Sequence, residues 1–346
     1  MCLTVARQLL VMAIIVIISF FFSKKNNFGQ SGSQYLSRLL LYVINPCMIV
    51  TAFDVEFSGQ KLRSLGLAIG VSFAFHLVMI AIATLLFAKR SQAQKAGRAQ
   101  DCAQGQEVRD SLSKIGIVFT NSGFIGIPLI NGVFGSAGVF YLMGYIFVFN
   151  VLLWVWGEWL MTGTMRPVKI LTNPNVLACA AGLAVFCLPF KLPYVITEPL
   201  KMIGACNGAV SMILLGLLFA AFGGENRSQA QDHAGENCIQ AQKRAAPLKA
   251  FAKPLARDVL LRLVVCPLLL LGAALFALRL FSGVQEINLI MSVLFIAACC
   301  PVGMSVSSFA VVFKKDADYA SLLVAISSAA CVVTVPLLVA LLEALV

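Results

Sequence analysis

Apolar residues fill most of this chain in long unbroken blocks, and polar residues gather in the intervals between them. Ten such blocks lie near 5–23, 36–55, 64–88, 114–134, 137–161, 174–190, 195–222, 259–281, 287–313 and 319–344. About 20 residues of helix span the hydrocarbon of a bilayer. Unpaired backbone groups are costly in lipid, and the blocks are too long for barrel strands, so each predicts a helix. The pattern predicts an all-α polytopic membrane protein with ten transmembrane helices. Arg7 ahead of the first block has the look of a signal-peptide start. The block runs into Lys24–Lys25 without a small-residue cleavage site, however, and is read as a span.

Two blocks are interrupted. The fourth reads IGIVFTNSGFIGIPLINGVFG over 115–135, with a break expected at Gly126–Pro128. The ninth carries AACCPVGMSVSSFA, with a break at Pro301–Gly303. The second and seventh blocks hold INPCM and CNGAVSM, again polar interruptions in corresponding places. The halves 1–165 and 166–346 therefore each carry five blocks with matching breaks. An odd number of spans per half turns the second half upside down, giving two inverted five-helix repeats. Paired interrupted segments of this kind point to a transporter's binding site.

The breaks suggest a chemistry. Pro128 lacks an N–H and suits the first turn of a new half-helix. Gly123 and Gly126 let the backbone unwind. A half-helix starting in mid-membrane presents free N–H groups and a partial positive charge, which suits a carboxylate. Thr120, Asn121 and Ser122 supply neutral donors beside the first break, and Ser305, Ser307 and Ser308 beside the second. Neither broken block holds Asp or Glu, which would repel an anion. The plainer alternative is that these polar residues only glue helices together.

Composition agrees with the pattern: 60% of the 346 residues are hydrophobic and 12% charged, with a mean hydropathy of +0.91. A soluble domain carries roughly twice that share of charge. The net charge of +11 would suggest a nucleic-acid partner if it were clustered on one soluble face. Instead, 18 of the 26 basic residues fall in the loops after odd-numbered spans, and Arg38 and Arg262, just inside their spans, make 20. Only Arg7, Lys61, Arg63, Lys191, Lys201 and Arg279 lie on the other side. The positive-inside rule then places both termini outside the cytoplasm, in a bacterial inner or plasma membrane. The long polar loops 89–113 and 223–258 read as solvated linkers with short helices.

The ionisable residues near the spans are few. His76 lies near the centre of the third span and is a candidate for proton coupling or, equally, a neutral donor. Asp54 and Glu158, near span ends, are the other coupling candidates and read as solvated. Most of the 11 cysteines lie in spans and behave as small hydrophobes. Cys102 and Cys238 lie in the cytoplasmic loops, and Cys299–Cys300 lack metal spacing. No nucleotide-binding loop, HExxH or pair of intramembrane aspartates appears, so neither an ATP-driven pump nor an enzyme is expected, and no cofactor or metal.

The runs TNSGFIGIPLINGVFG, TNPNVLACAAGL, MILLGLLFA and CCPVGMSVSSFAVVFKKDADYASLLVAISSAACVVTVPLL resemble the auxin efflux carrier family. That family includes the plant PIN-FORMED carriers and bacterial organic-acid permeases, and the permease branch is the one suspected. The resemblance implies a scaffold of spans 1, 2, 6 and 7 and a moving transport domain of spans 3–5 and 8–10. Spans 4 and 9 would cross at Pro128 and Pro301, with elevator-type alternating access and carboxylate substrates. It matches Asn121 to the asparagine ahead of the first crossing, and Asn173, Pro174 and Asn175 to the NPN opening the sixth span. The ninth span lacks the bulkier Pro-Gln-Gly sequence of plant carriers, which favours smaller acids such as malate or malonate over an indole. The expected substrate contacts are Asn121, Ser122, Gly123, Pro128, Asn175, Pro301 and Ser305. The expected partners are a small organic anion, the lipid bilayer and a second copy through the scaffold. The competing readings are a sodium- or proton-coupled carrier of the same architecture, separated by ion dependence, and a non-transporting sensor, separated by binding without counterflow.

Overall fold

The computed structural model describes residues 1–26, 30–95, 100–164, 168–188, 192–222, 248–313 and 315–346. Among the described residues every regular element is a helix, apart from one isolated bridge between Thr120 and Val302. Seven stretches are long and apolar enough to cross a membrane: Cys2–Asn26, Tyr35–Ala52, Gly59–Ala88, Ser122–Thr162, Tyr194–Ala220, Ala252–Leu280 and Ala317–Leu345. The 41-residue stretch from Ser122 is two legs, because Gly135 takes φ 63°, ψ −156° and turns the chain sharply. The sixth expected block is the shorter helix Pro174–Cys187, and the ninth is a pair of half-helices, Ile287–Cys299 and Met304–Val312.

In chain order the helices are α1 (Cys2–Asn26), α2 (Gln30–Leu39), α3 (Asn45–Ala52), α4 (Gly59–Lys95), α5 (Gln100–Val118), α6 (Ile127–Leu152) and α7 (Glu158–Thr162). There follow α8 (Val168–Leu171), α9 (Pro174–Cys187), α10 (Tyr194–Ala205) and α11 (Asn207–Phe222). The last group is α12 (Leu248–Leu260), α13 (Cys266–Leu280), α14 (Ile287–Cys299), α15 (Met304–Val312) and α16 (Ala317–Leu345). Parts of both long polar loops are thus helical. Their Gln, Ala, Lys and Arg residues are good helix formers, so α4, α5 and α12 run on past the apolar blocks. Of the basic residues counted for orientation, Arg98, Arg166, Lys191, Arg227, Lys243, Arg244 and Lys314 lie outside the described residues, as does Cys238.

Three prolines share one local solution. Pro46, Pro128 and Pro267 each sit at the start of a helix directly after a five-residue π-turn: Leu40–Ile44, Ser122–Gly126 and Leu261–Val265. In each, the residue before the proline donates its N–H to the carbonyl five residues back, as Ile127 does to Ser122. A proline has no N–H, and its ring crowds the carbonyl four residues back. Widening the preceding turn moves that carbonyl aside, so the helix continues through the proline. The break expected at Gly126–Pro128 is therefore corrected: the non-helical residues of the fourth run are Phe119–Asn121, seven residues upstream.

Packing brings α1 against α11 and α16, α3 against α9 and α10, and α4 against α5 and α6. It also joins α13 to α14 and α15 to α16. Small residues allow the closest approaches. A Cβ on Gly216 would overlap Ser19 Oγ of α1, one on Gly182 would overlap the Phe53 ring, and one on Gly204 would stand 3.1 Å from the Met48 backbone.

Two buried tyrosines each tie three helices together. Tyr141, on the second leg after Gly135, donates its hydroxyl to Glu286 Oε2 at 2.5 Å, within reach of Ser64 on α4. Glu286 precedes α14 and is the one described non-glycine residue with a left-handed backbone, φ 62°. Tyr319 on α16 donates to Asp258 of α12 at 2.5 Å, so Ser113 of α5, 3.1 Å away, must donate to the tyrosine oxygen. Arg257 completes this second group, 2.7 Å from Asp258.

Candidate functional site

The two interruptions meet. Asn121 N–H donates to the Pro301 carbonyl at 2.8 Å, and Gly303 N–H donates to the Phe119 carbonyl at 2.9 Å. These bonds make Thr120 and Val302 an antiparallel pair. Val302 N–H is taken by Ser327 Oγ of α16 at 3.2 Å. Irregular backbone persists inside a membrane protein only when its polar groups are satisfied in this way.

Gly303 leaves no room for a side chain against the first segment. A Cβ there would lie 2.9 Å from the Thr120 carbonyl oxygen and 3.1 Å from that of Phe119. Both neighbours are backbone and cannot swing away. Gly303→Ala is expected to push the paired segments apart at a cost of about 1–3 kcal/mol. The check is a lowered melting temperature in detergent with transport lost more steeply than folded protein.

The carbonyls left over at the ends of α5 and α14 are collected by one side chain. Arg262, in the π-turn before α13, is fully buried. Its Nη1 donates to the Ile117 carbonyl at 2.9 Å, its Nε and Nη2 donate to Cys300 at 3.1 and 2.9 Å, and Nη2 also donates to Ala298. A cation is favoured at a helix C-terminus, where unpaired carbonyls gather negative partial charge. One planar guanidinium with five donors can serve two such ends at once. The expectation that Arg262 is an inner-surface charge is therefore corrected. Its place near the end of an apolar block gave it the look of a topology signal, while its partners lie 36 to 145 residues away in sequence.

The opposite ends at this junction begin helices. The turn Ser122–Gly126 and α15 start there, and the first N–H groups of a helix have no internal acceptor. Beside them, both amide atoms of Asn121 and the hydroxyls of Ser122 and Ser305 are buried without a hydrogen-bond partner. Buried polar groups are seldom left unpaired, since each costs about 1–3 kcal/mol. On the Gly123 side of the turn a Cβ would meet nothing within 4 Å, whereas one on Gly126 would be 3.4 Å from Cys300 Sγ. So the junction joins unpaired donors, two helix starts and open space beside Gly123.

The structure groups Asn121, Ser122, Gly123, Pro301 and Ser305 at this junction. Pro128 stands farther along, against α11, where a Cβ on Gly208 would be 3.3 Å from its ring. Asn175 belongs to the first turn of α9, which packs on α3 and α6; its backbone N–H is capped by Asn173 Oδ1 at 2.9 Å, and its own Oδ1 is unpaired. His76 borders the junction, its ring 4.8 Å from that of Tyr145, whose hydroxyl lies 3.3 Å from Thr120 Oγ1. His76 Nδ1 carries the proton, because it faces the Ser72 carbonyl at 2.8 Å, and Nε2 is buried without a partner.

The other two coupling candidates lie elsewhere. Asp54 forms an ion pair with Lys201 at 2.9 Å, bracing the end of α3 against α10. Glu158, expected to be solvated, is buried at 1% exposure. Its turn lies against other segments: at the neighbouring Gly157 a Cβ would be 3.4 Å from the Phe309 ring and 3.6 Å from that of Phe119. A further buried pair was not singled out as a site: Asn207 Nδ2 donates to Asn45 Oδ1 at 2.6 Å. The matched INPCM and CNGAVSM runs are the signal that could have found it.

Residues 159–339, slightly more than half of the chain, match the membrane transport protein family. The chain belongs to that family. No curated protein matches it. Membership makes it a multi-pass membrane transporter rather than an enzyme, and agrees with its resemblance to the auxin efflux carriers. The matched region contains Arg262 and the second interruption, while Phe119–Asn121 lies ahead of it.

Proposed function

We propose that this membrane transport protein is a secondary carrier of small organic anions, of the size of malate or malonate, in the permease branch related to the plant PIN-FORMED carriers. The observation that carries the reading is the polarity of the junction. Arg262 binds the carbonyl ends of α5 and α14, so the helix starts and the unpaired Asn121, Ser122 and Ser305 remain for a ligand. Every fixed element there favours negative charge. The ten spans are read as two inverted five-helix repeats whose broken helices cross at this junction. The packing of α1 with α11, and of α3 with α9 and α10, supports a scaffold of spans 1, 2, 6 and 7. The remaining spans are the moving body of an elevator, with Pro128 and Gly208 at the seam between the two. The orientation, both termini outside the cytoplasm of a bacterial inner membrane, rests on the loop charges.

Counterflow in proteoliposomes preloaded with acetate, lactate, malonate and malate tests the reading. At least one acid is expected to exchange, and Asn121→Ala is expected to slow that exchange about tenfold or more, the worth of one hydrogen bond to a charged group. Folded, inserted protein that exchanges none of the acids would remove the anion-carrier reading. Exchange that runs only with sodium or a proton gradient would move it to the coupled class, where His76 is the first residue to replace.

A further inference from the structure

We propose that Arg262 is the carrier's resident countercharge. Its guanidinium travels with the junction and cancels the charge of one bound carboxylate, so the membrane potential acts on the empty carrier and not on the carrier loaded with a singly charged acid. The inference rests on the anion-carrier reading above and adds to it the charge of the moving species.

Three observations carry it. Arg262 is bonded at once to the ends of α5 and α14, so it cannot shift without the junction. An arginine stays protonated even when buried. Its partners are all carbonyls, which orient the charge without neutralising it.

The buried acids Glu158 and Asp110 have partners of their own, and five further described acids are engaged away from it. Asp258, four residues back on the same helical run, is held by Arg257 and Tyr319. Asp316 binds Arg109, Glu286 binds Tyr141, Asp54 binds Lys201, and Glu343 binds the terminal amine. None of these five is bonded to the junction, whereas the charged side chain of Arg262 is bonded to its peptides. A buried charge without an opposite partner is costly. A carboxylate arriving among Asn121, Ser122 and Ser305 supplies that partner, and Arg262 in turn lowers the cost of dehydrating it.

The charge count follows. The empty junction carries plus one, zero with a monocarboxylate and minus one with a doubly ionised acid. Moving one elementary charge across 100 mV shifts a balance roughly fiftyfold. The step that feels this is the return of the empty carrier, and acids bearing one charge cross most easily.

The experiment uses the full chain in proteoliposomes on a solid-supported membrane, with potassium–valinomycin voltage steps. Without substrate, a transient charge displacement of up to about one elementary charge per carrier is expected. Saturating lactate or acetate should suppress it several-fold. Arg262→Lys should keep it and Arg262→Gln should abolish it. If Arg262→Gln does not fold, wild-type protein with and without acid decides alone. No displacement in wild-type protein, an unchanged displacement in Arg262→Gln, or a displacement that neither acid suppresses would each overturn the proposal. Failure of the anion-carrier reading is seen separately, as absence of counterflow with every acid.

Discussion

Arg262→Leu is expected to leave little folded protein. The side chain makes four hydrogen bonds to three carbonyl oxygens and is fully buried. Leucine relieves the cost of burying a charge, and replacing buried ions with apolar groups is sometimes harmless for that reason. The difference here lies in what remains. The carbonyls of Ile117, Ala298 and Cys300 belong to helix ends pinned by the paired segments, so they cannot turn toward water. At about 1–3 kcal/mol for each of the three unpaired groups, the gross loss is roughly 3–9 kcal/mol, a large part of the stability of a typical protein, and only the relieved burial of the charge is set against it. Detergent-solubilised protein should run as aggregate on size exclusion. Arg262→Lys keeps the charge and three donors but lacks the planar fork, so it should be folded with a depressed melting temperature. A monodisperse Arg262→Leu protein with wild-type melting would show that the guanidinium does not hold the junction.

Gly216→Val should be nearly as damaging, for a purely steric reason. Its first carbon would overlap Ser19 Oγ and stand 2.5 Å from the Val16 carbonyl oxygen and 3.0 Å from the Phe20 nitrogen. Two of those three neighbours are backbone of α1, so relief requires the helices to separate along their length. Overpacking of this kind costs about 1–3 kcal/mol where neighbours can yield, and more where they are backbone. The discriminating partner is Ser19→Ala. It removes the hydroxyl but leaves Val16 and Phe20 in place, so the double variant should melt no higher than Gly216→Val alone. Recovery in the double variant would mean that α1 and α11 touch only through the serine.

The apolar blocks were legible because each segment of helix in lipid must be apolar on its own account. The Pro301 break was legible too, since Cys300 and Gly303 take extended backbone on either side of it. The first break was misplaced at Pro128 because a proline marks only its own missing N–H. The chain absorbed that locally with a π-turn, as it did before Pro46 and Pro267, and placed the non-helical residues where Phe119 and Asn121 could bond to the other half. Asn121, Ser122 and Ser305 could be named early because their polarity stands out against apolar neighbours. Arg262 could not. A lone arginine near the end of an apolar block reads the same whether it faces water or two helix ends, and only the contacts with distant carbonyls tell the cases apart. The burial of Glu158 was hidden for the same reason, since its turn lies against rings from two other segments.

The two tyrosine junctions bear on descent. If the third, fourth and fifth spans correspond to the eighth, ninth and tenth, Tyr141 and Tyr319 are counterparts, but their partners have traded places. The acid of one junction, Glu286, stands opposite the serine of the other, Ser113, and Asp258 stands opposite Ser64. A column-by-column alignment of the halves would count both positions as divergence. The three-way meeting of hydroxyl, serine and carboxylate is nevertheless present in both. On that correspondence, what two halves of common origin would preserve is an unordered set of chemical groups at one meeting point, and kinship between such halves would be better sought among side-chain triplets than along the chain.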